Sequence, residues 1–165
     1  MPDIHTIRLR GPWQMEPLER FAPAESGGEA QELPPPGRVK LPTTYQAALP
    51  HGFHGRVRFA RRFQRPTGLE PHETVHLVVD TPWTIVTLTL NERQLEIERA
   101  LEIATAAAGS LVQRAPVRLN LTDLLSDTNV LAIEVEYRAE DTAEGATAGQ
   151  SSSVALLGEV RLEIE

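Results

Sequence analysis

Apolar and polar residues alternate one for one along much of this chain. In "LLGEVRLEIE", Leu156, Val160, Leu162 and Ile164 share one face, and Glu159, Arg161 and Glu163 share the other. "NVLAIEVEY" sets Leu131, Ile133, Val135 and Tyr137 against Glu134 and Glu136. Successive strand side chains point to opposite faces, so this period of two predicts strands with one face in a core and one in water. "ETVHLVVD" and "TIVTLTLN" are β-branched runs with mixed faces, as suits central strands. With "IHTIRLRG" and "PVRLNL" the set reaches about seven or eight short strands separated by turn signals. The expected fold is all-β, a single antiparallel β-sandwich domain over residues 1–165.

Three kinds of segment break the pattern. "TDLLSD" (122–127) predicts one capped turn, with Thr122 as the N-cap. The run "ERQLEIERALEIATAAA" (92–108) consists of good helix formers. Yet Leu95/Ile97 and Leu101/Ile103/Thr105 alternate as strands do, and a hairpin or extended excursion is expected there. Residues 23–37 are rich in Pro, Gly and Glu, and 139–153 are small and acidic. Both are expected to be mobile loops, whose closure entropy grows only logarithmically with length.

The stretch "GFHGRVRFARRFQRP" concentrates arginine: Arg56, Arg58, Arg61, Arg62 and Arg65. Read as a strand, it places Val57, Phe59, Arg61 and Phe63 on one side. Arg56, Arg58, Ala60, Arg62 and Gln64 fall on the other. The phenylalanines are therefore core residues before they are stacking platforms, and most of the arginines face water.

These residues carry a resemblance. G-x-V-x-F-x-R-x-F-x-x-P (Gly55, Val57, Phe59, Arg61, Phe63, Pro66) resembles a strand of the N-terminal sugar-binding domain of family-2 glycoside hydrolases. Leu41-Pro42 precedes it, and "LTLNE" (Leu88–Glu92) is similar to that family's V-x-L-N-G hairpin. Leu119, Leu121, Thr122, Leu124, Leu125, Asn129, Leu131 and Val135 match its F-x-x-D-I-T-x-L-L…G-x-N-x-L-x-V-x-V pattern. "GPW" at Gly11–Trp13 matches its opening. The resemblance spans roughly residues 5–165 and implies a galactose-binding-like jelly roll without the catalytic barrel. It also implies that Arg61, on the inward face, is buried and paired with a carboxylate. Glu92 departs from the pattern where the family has glycine, which argues against a tight type I′ turn. The Asn91–Asp123 stretch is long for the family, so 92–115 is expected to be an insertion.

Composition narrows the functional classes. A chain of 165 residues suffices for one core. Against a net charge of −7, residues 56–65 carry +5 and leave −12 on the rest, which suits neither nucleic acid nor an anionic membrane. Fifteen of the sixteen basic residues are arginine, a bias that reads as genomic composition rather than function. Cysteine is absent, so no disulfide or thiolate site exists. "MPDIHTIRLRGPW" has no secretory signal pattern, and no apolar run reaches the ~18–20 residues of a membrane span. A cytoplasmic location is expected by default.

No nucleophile elbow, phosphate loop or HExxH motif is present, and no enzymatic activity is expected. His51, His54, His72 and His76 lack a third ligand at zinc spacing, and neither a metal nor a cofactor is assigned, with a structural calcium left open. Trp83 in "DTPWT" and Tyr45 in "LPTTYQAALPHGFHG" offer flat apolar surfaces for a sugar ring. His51 and His54 supply polar groups beside them, while Trp13 is assigned to the core. The leading expectation is a non-catalytic carbohydrate-binding module for an oligo- or polysaccharide. The alternative is a protein-contact or structural sandwich that has lost the sugar site.

Overall fold

The computed structural model describes residues 3–20, 33–44, 55–81, 84–98, 116–137 and 155–165. They form an antiparallel jelly-roll β-sandwich. Its strands are β1 (His5–Arg8), β2 (Trp13–Arg20), β3 (Gly37–Val39), β4 (Thr43–Thr44), β5 (Gly55–Gln64) and β6 (Val75–Val79). There follow β7 (Thr84–Leu90), β8 (Arg93–Gln94), β9 (Val117–Asn120), β10 (Thr128–Tyr137), β11 (Ala155–Leu157) and β12 (Val160–Ile164). One sheet has the order β1-β12-β6-β9, the other β3-β2-β5-β10-β7-β8, and β11 pairs with β4.

The alternation read from the sequence fills the space between the sheets. Leu77, Val79, Val160 and Leu162 of the four-stranded sheet meet Trp13, Phe59, Leu88, Leu131 and Ile133 of the six-stranded one in a single buried cluster. Trp13 is fully buried, and its indole Nε1 donates to the Leu9 carbonyl at 2.7 Å. At roughly 1.5–3 kcal/mol for each large apolar side chain buried, this cluster is the main favourable term in the fold. The mixed faces of β7 come from a bulge: its register against β10 shifts between Glu134 and Val135, so Ile85 and Leu88 both turn inward.

β2 was not read from the pattern, because Pro17 interrupts "WQMEPLER". β3 covers only Trp13–Met15, so at Pro17 the strand is an edge, where proline's missing donor is tolerated. The register against β5 then shifts between Pro17 and Glu19. Gly55 sits against that irregularity, where an added Cβ would run into the Glu19 carbonyl oxygen.

Two expectations are corrected. Asn91 and Glu92 both adopt left-handed conformations, with φ of 52° and 68°. Leu90 pairs with Arg93 across them, so the hairpin is tight despite the missing glycine. The turn expected in 122–127 forms over 122–124, closed by Leu124 N to the Leu121 carbonyl at 2.8 Å, but Thr122 does not cap it. Its hydroxyl accepts the Val75 N–H at 2.9 Å and donates to Asn120 Oδ1 at 2.6 Å, tying the end of β9 to the start of β6. In the 92–108 run, Leu95 and Ile97 are buried between exposed Glu96 and Glu98, as extended chain requires. Residues 99–115 lie outside the described residues, as do most of the 23–37 loop and all of 139–153.

What holds the Asn91–Glu92 turn is a polar cluster around one buried side chain. Asn129 is fully buried; its Oδ1 accepts from Ser126 N at 2.9 Å and from Asn91 Nδ2 at 3.0 Å. Its Nδ2 donates to the Ser126 carbonyl at 2.7 Å. Asn91 Oδ1 in turn accepts the Val130 N–H at 2.8 Å, and Asn91 N donates to Val130 O at 2.9 Å.

Two substitutions test this account of the backbone. A non-glycine residue in the left-handed region costs about 1–2 kcal/mol, and glycine gives back roughly half to one through its unfolded freedom. Glu92→Gly is therefore expected to stabilise the fold by about 0.5–1 kcal/mol in urea unfolding. Gly55→Ala is expected to destabilise it by roughly 2–4 kcal/mol, the range of a steric conflict with backbone. Equal midpoints for Gly55→Ala and the parent would show that β2 and β5 do not approach as described.

Candidate functional site

Strand topology sorts the connections by end. Arg20, Gly55, Tyr137 and Thr84 stand close together at one end of the six-stranded sheet: Gly55 pairs with Arg20 and Tyr137, and Thr84 with Glu136. Val79 pairs with Val117 and Val160 at the corresponding end of the facing sheet. The segments 45–54 and 82–83 thus attach to the same end of the sandwich, through Gly55 and Thr84. Trp83, Tyr45, His51 and His54 belong to these segments and lie outside the described residues. The opposite end carries the Asn91–Glu92 turn and residues 121–127, which the Asn129 cluster fixes.

Two outward arginines of β5, Arg56 and Arg58, face carboxylates across the strands, while Arg62 faces Val130. Arg58 stands in register between Glu16 and Glu134, and Arg56 between Glu19 and Glu136. Arg56 Nε lies 3.5 Å from Glu136 Oε2. Opposite charges on directly facing positions stabilise a sheet modestly.

The outer face of the four-stranded sheet is charged as well. Arg8 reaches Glu159 at 3.1 Å, and Arg161 reaches Glu159 at 3.5 Å and Glu163 at 2.9 Å. Arg118 contacts Glu163 at 3.7 Å and Glu165 at 2.7 Å. Val78 lies on this face in register between Arg161 and Arg118, yet is almost fully buried, because the arginine stems cover it. His76 sits beside it, with Nδ1 buried and 3.6 Å from Glu165 Oε1, beyond hydrogen-bond reach. Burial, and then the Arg118 charge, push the His76 pKa below its ordinary value, although Glu165 and Glu163 pull the other way. His72 is exposed beside Glu70. Among the described residues no three His, Cys, Asp or Glu side chains cluster as metal ligands. No helix among them is long and apolar enough to cross a membrane.

Arg61 is the exception among the β5 arginines. It faces inward with Val57, Phe59 and Phe63, as the alternation requires, but is half-buried rather than buried. No carboxylate among the described residues pairs with it, which corrects the expected ion pair. Its Nε donates weakly to the Arg62 carbonyl at 3.4 Å, and its Nη1 is buried without a partner. Desolvation lowers its pKa from the ordinary guanidinium value. It lines a cleft of 360 Å³ whose apolar walls are Ile7, Leu9, Phe63 and Leu162. Arg8 and Arg62 line the same cleft. Alternation revealed the inward facing of Arg61; the cleft needed β1 and β5 to be brought together.

No family model and no curated protein matches the sequence. Solved structures match the fold. An FMN-binding β-glucuronidase from Faecalibacterium prausnitzii L2-6 superposes with a TM-score of 0.60 at 19% identity, over 98% of this chain and 22% of its own. A rhamnosidase from Novosphingobium sp. PP1Y gives 0.63 at 17% identity, over 100% and 16%. A β-glucuronidase from Bifidobacterium dentium gives 0.61 at 16%, over 98% and 30%. At these identities the likeness is one of fold, and the chain spans less than a third of each of these three glycosidases. It agrees with an antiparallel β-sandwich.

The low pKa of His76 has a measurable consequence. Its folded pKa lies below the unfolded value near 6.5, so below that pH the unfolded state takes up the proton preferentially and stability falls. The melting temperature is expected to drop between pH 7 and 5.5, and to drop less in His76→Gln. An equal drop in both proteins would exclude His76 as a source of the pH dependence.

Proposed function

We propose that this chain is a non-catalytic carbohydrate-recognition module. Trp83 and Tyr45 stack on sugar rings, and His51 and His54 bond hydroxyls. The observation that carries this reading is that both segments bearing these residues attach at the same end of a sandwich shared with glycosidases. Loops gathered at one end of a rigid scaffold are the usual carriers of binding residues. The neighbours' substrates, β-glucuronides and rhamnosides, define the first ligands to try.

Two features support a module without catalysis of its own. The chain corresponds to only 16% to 30% of the glycosidases compared. Its described carboxylates Glu136, Glu159 and Glu163 are engaged by arginines on outer faces instead of converging in a cleft. One observation favours the second reading, a protein-contact module that has lost the sugar site. Among the described side chains the aromatic Trp13, Phe59 and Phe63 are all in the core, and the exposed large apolar residues are the aliphatic Ile4, Leu18, Leu33 and Val130.

Tryptophan fluorescence separates the two. Trp13 is sealed in the core and supplies a constant background, so a ligand-dependent change reports Trp83. A saturable change with a glucuronide or rhamnoside oligosaccharide is expected, and Trp83→Phe should abolish it. Unchanged emission across such a panel, together with a blank glycan array, would discard sugar recognition in favour of protein contact.

A further inference from the structure

β5 outlasts its neighbour. β2 covers it only as far as Ala60, so from Arg61 to Gln64 it has β10 on one side and, among the described residues, no strand on the other. β1 is the edge of the four-stranded sheet. The 360 Å³ cleft lies between these two edges, on the flank of the sandwich and away from the end where 45–54 and 82–83 attach.

Its chemistry is one-sided. Arg8, Arg61 and Arg62 line it, and no acidic residue among the described ones does, in a chain whose net charge is −7. Arg8 is held by Glu159. Arg61 has no carboxylate among the described residues, and a buried, unsatisfied guanidinium nitrogen costs the full desolvation of that group. A guanidinium presents parallel N–H donors that fit the two oxygens of a carboxylate. The walls beside it, Ile7, Leu9, Phe63 and Leu162, are apolar.

We propose that this flank cleft is a binding site for a small organic carboxylate, whose anionic head pairs with Arg61 and whose apolar body rests on Ile7. The volume is that of a small-molecule pocket. The site is independent of the sugar reading, since none of its residues lies in the loop-end segments.

Benzoate and its neutral analogue benzamide test the proposal in ¹⁵N-resolved NMR titrations at low salt. Benzoate is expected to shift the Arg61 Nε–H and the amides of Ile7, Leu9 and Phe63 in a saturable way, with benzamide binding at least about tenfold more weakly, the loss of one charge-assisted hydrogen bond. Arg61→Met keeps the apolar stem and removes the unpaired charge. It is expected to fold at least as stably as the parent, by thermal unfolding, and to lose the benzoate shifts. Equal binding of benzoate and benzamide, shifts that persist in Arg61→Met, or shifts spread over the outer-face arginines would each overturn the site. So would binding of a glutamate-containing peptide with none of benzoate, since the carboxylate would then belong to a protein partner.

Discussion

The fully buried Asn129 side chain is the constraint on which the rest of the sandwich hangs. Three hydrogen bonds from one amide close the loop before β10 and hold the tip of the β7–β8 hairpin through Asn91. A polar side chain with no access to water must be bonded in this way or cost the fold a few kcal/mol. Here the requirement fixes register as well. β10 pairs with both β5 and β7, so the position at which it starts sets which residues of all three strands face inward.

That constraint also explains why the two ends of the molecule differ. At the Asn129 end, backbone groups are committed: Ser126 and Val130 bond to asparagine side chains, and Val75 bonds to Thr122. At the other end the strands finish at Arg20, Gly55, Val79, Thr84 and Tyr137, each followed or preceded by a connecting segment. A sandwich locked at one end tolerates variation at the other, because loop closure costs grow slowly with length. Charge follows the same economy. Arg56 and Arg58 of β5 are matched by carboxylates on β2 and β10 through register alone, and the outer face of the facing sheet is stitched by an alternating chain from Arg8 to Glu165.

Much of the sandwich was legible because its signal is local. Leu131, Ile133 and Val135, or Leu162 and Ile164, declare their facing through their immediate neighbours. What was not legible depends on distant residues. β2 was hidden by Pro17, whose tolerance depends on β3 ending at Met15. Glu92 argued against a tight turn on local propensity, and Asn129, thirty-seven positions away, overrides that preference through Asn91. Arg61 was placed on the correct face, but its environment is a cleft between two sheet edges that no one-dimensional pattern reveals. The residues assigned to sugar, Trp83, Tyr45, His51 and His54, fall in segments with no strand periodicity, and only their points of attachment follow from the fold.

Residue-resolved native-state hydrogen exchange of the Ser126 and Val130 amides tests the role of the Asn129 cluster most directly. Both donate to asparagine side chains rather than to a strand ladder. If the cluster is the constraint that sets the register of β10, they exchange only through global unfolding, with the same opening free energy as the core amides of Leu88 and Leu131. Exchange of Ser126 and Val130 by local opening while Leu88 and Leu131 stay protected would contradict it.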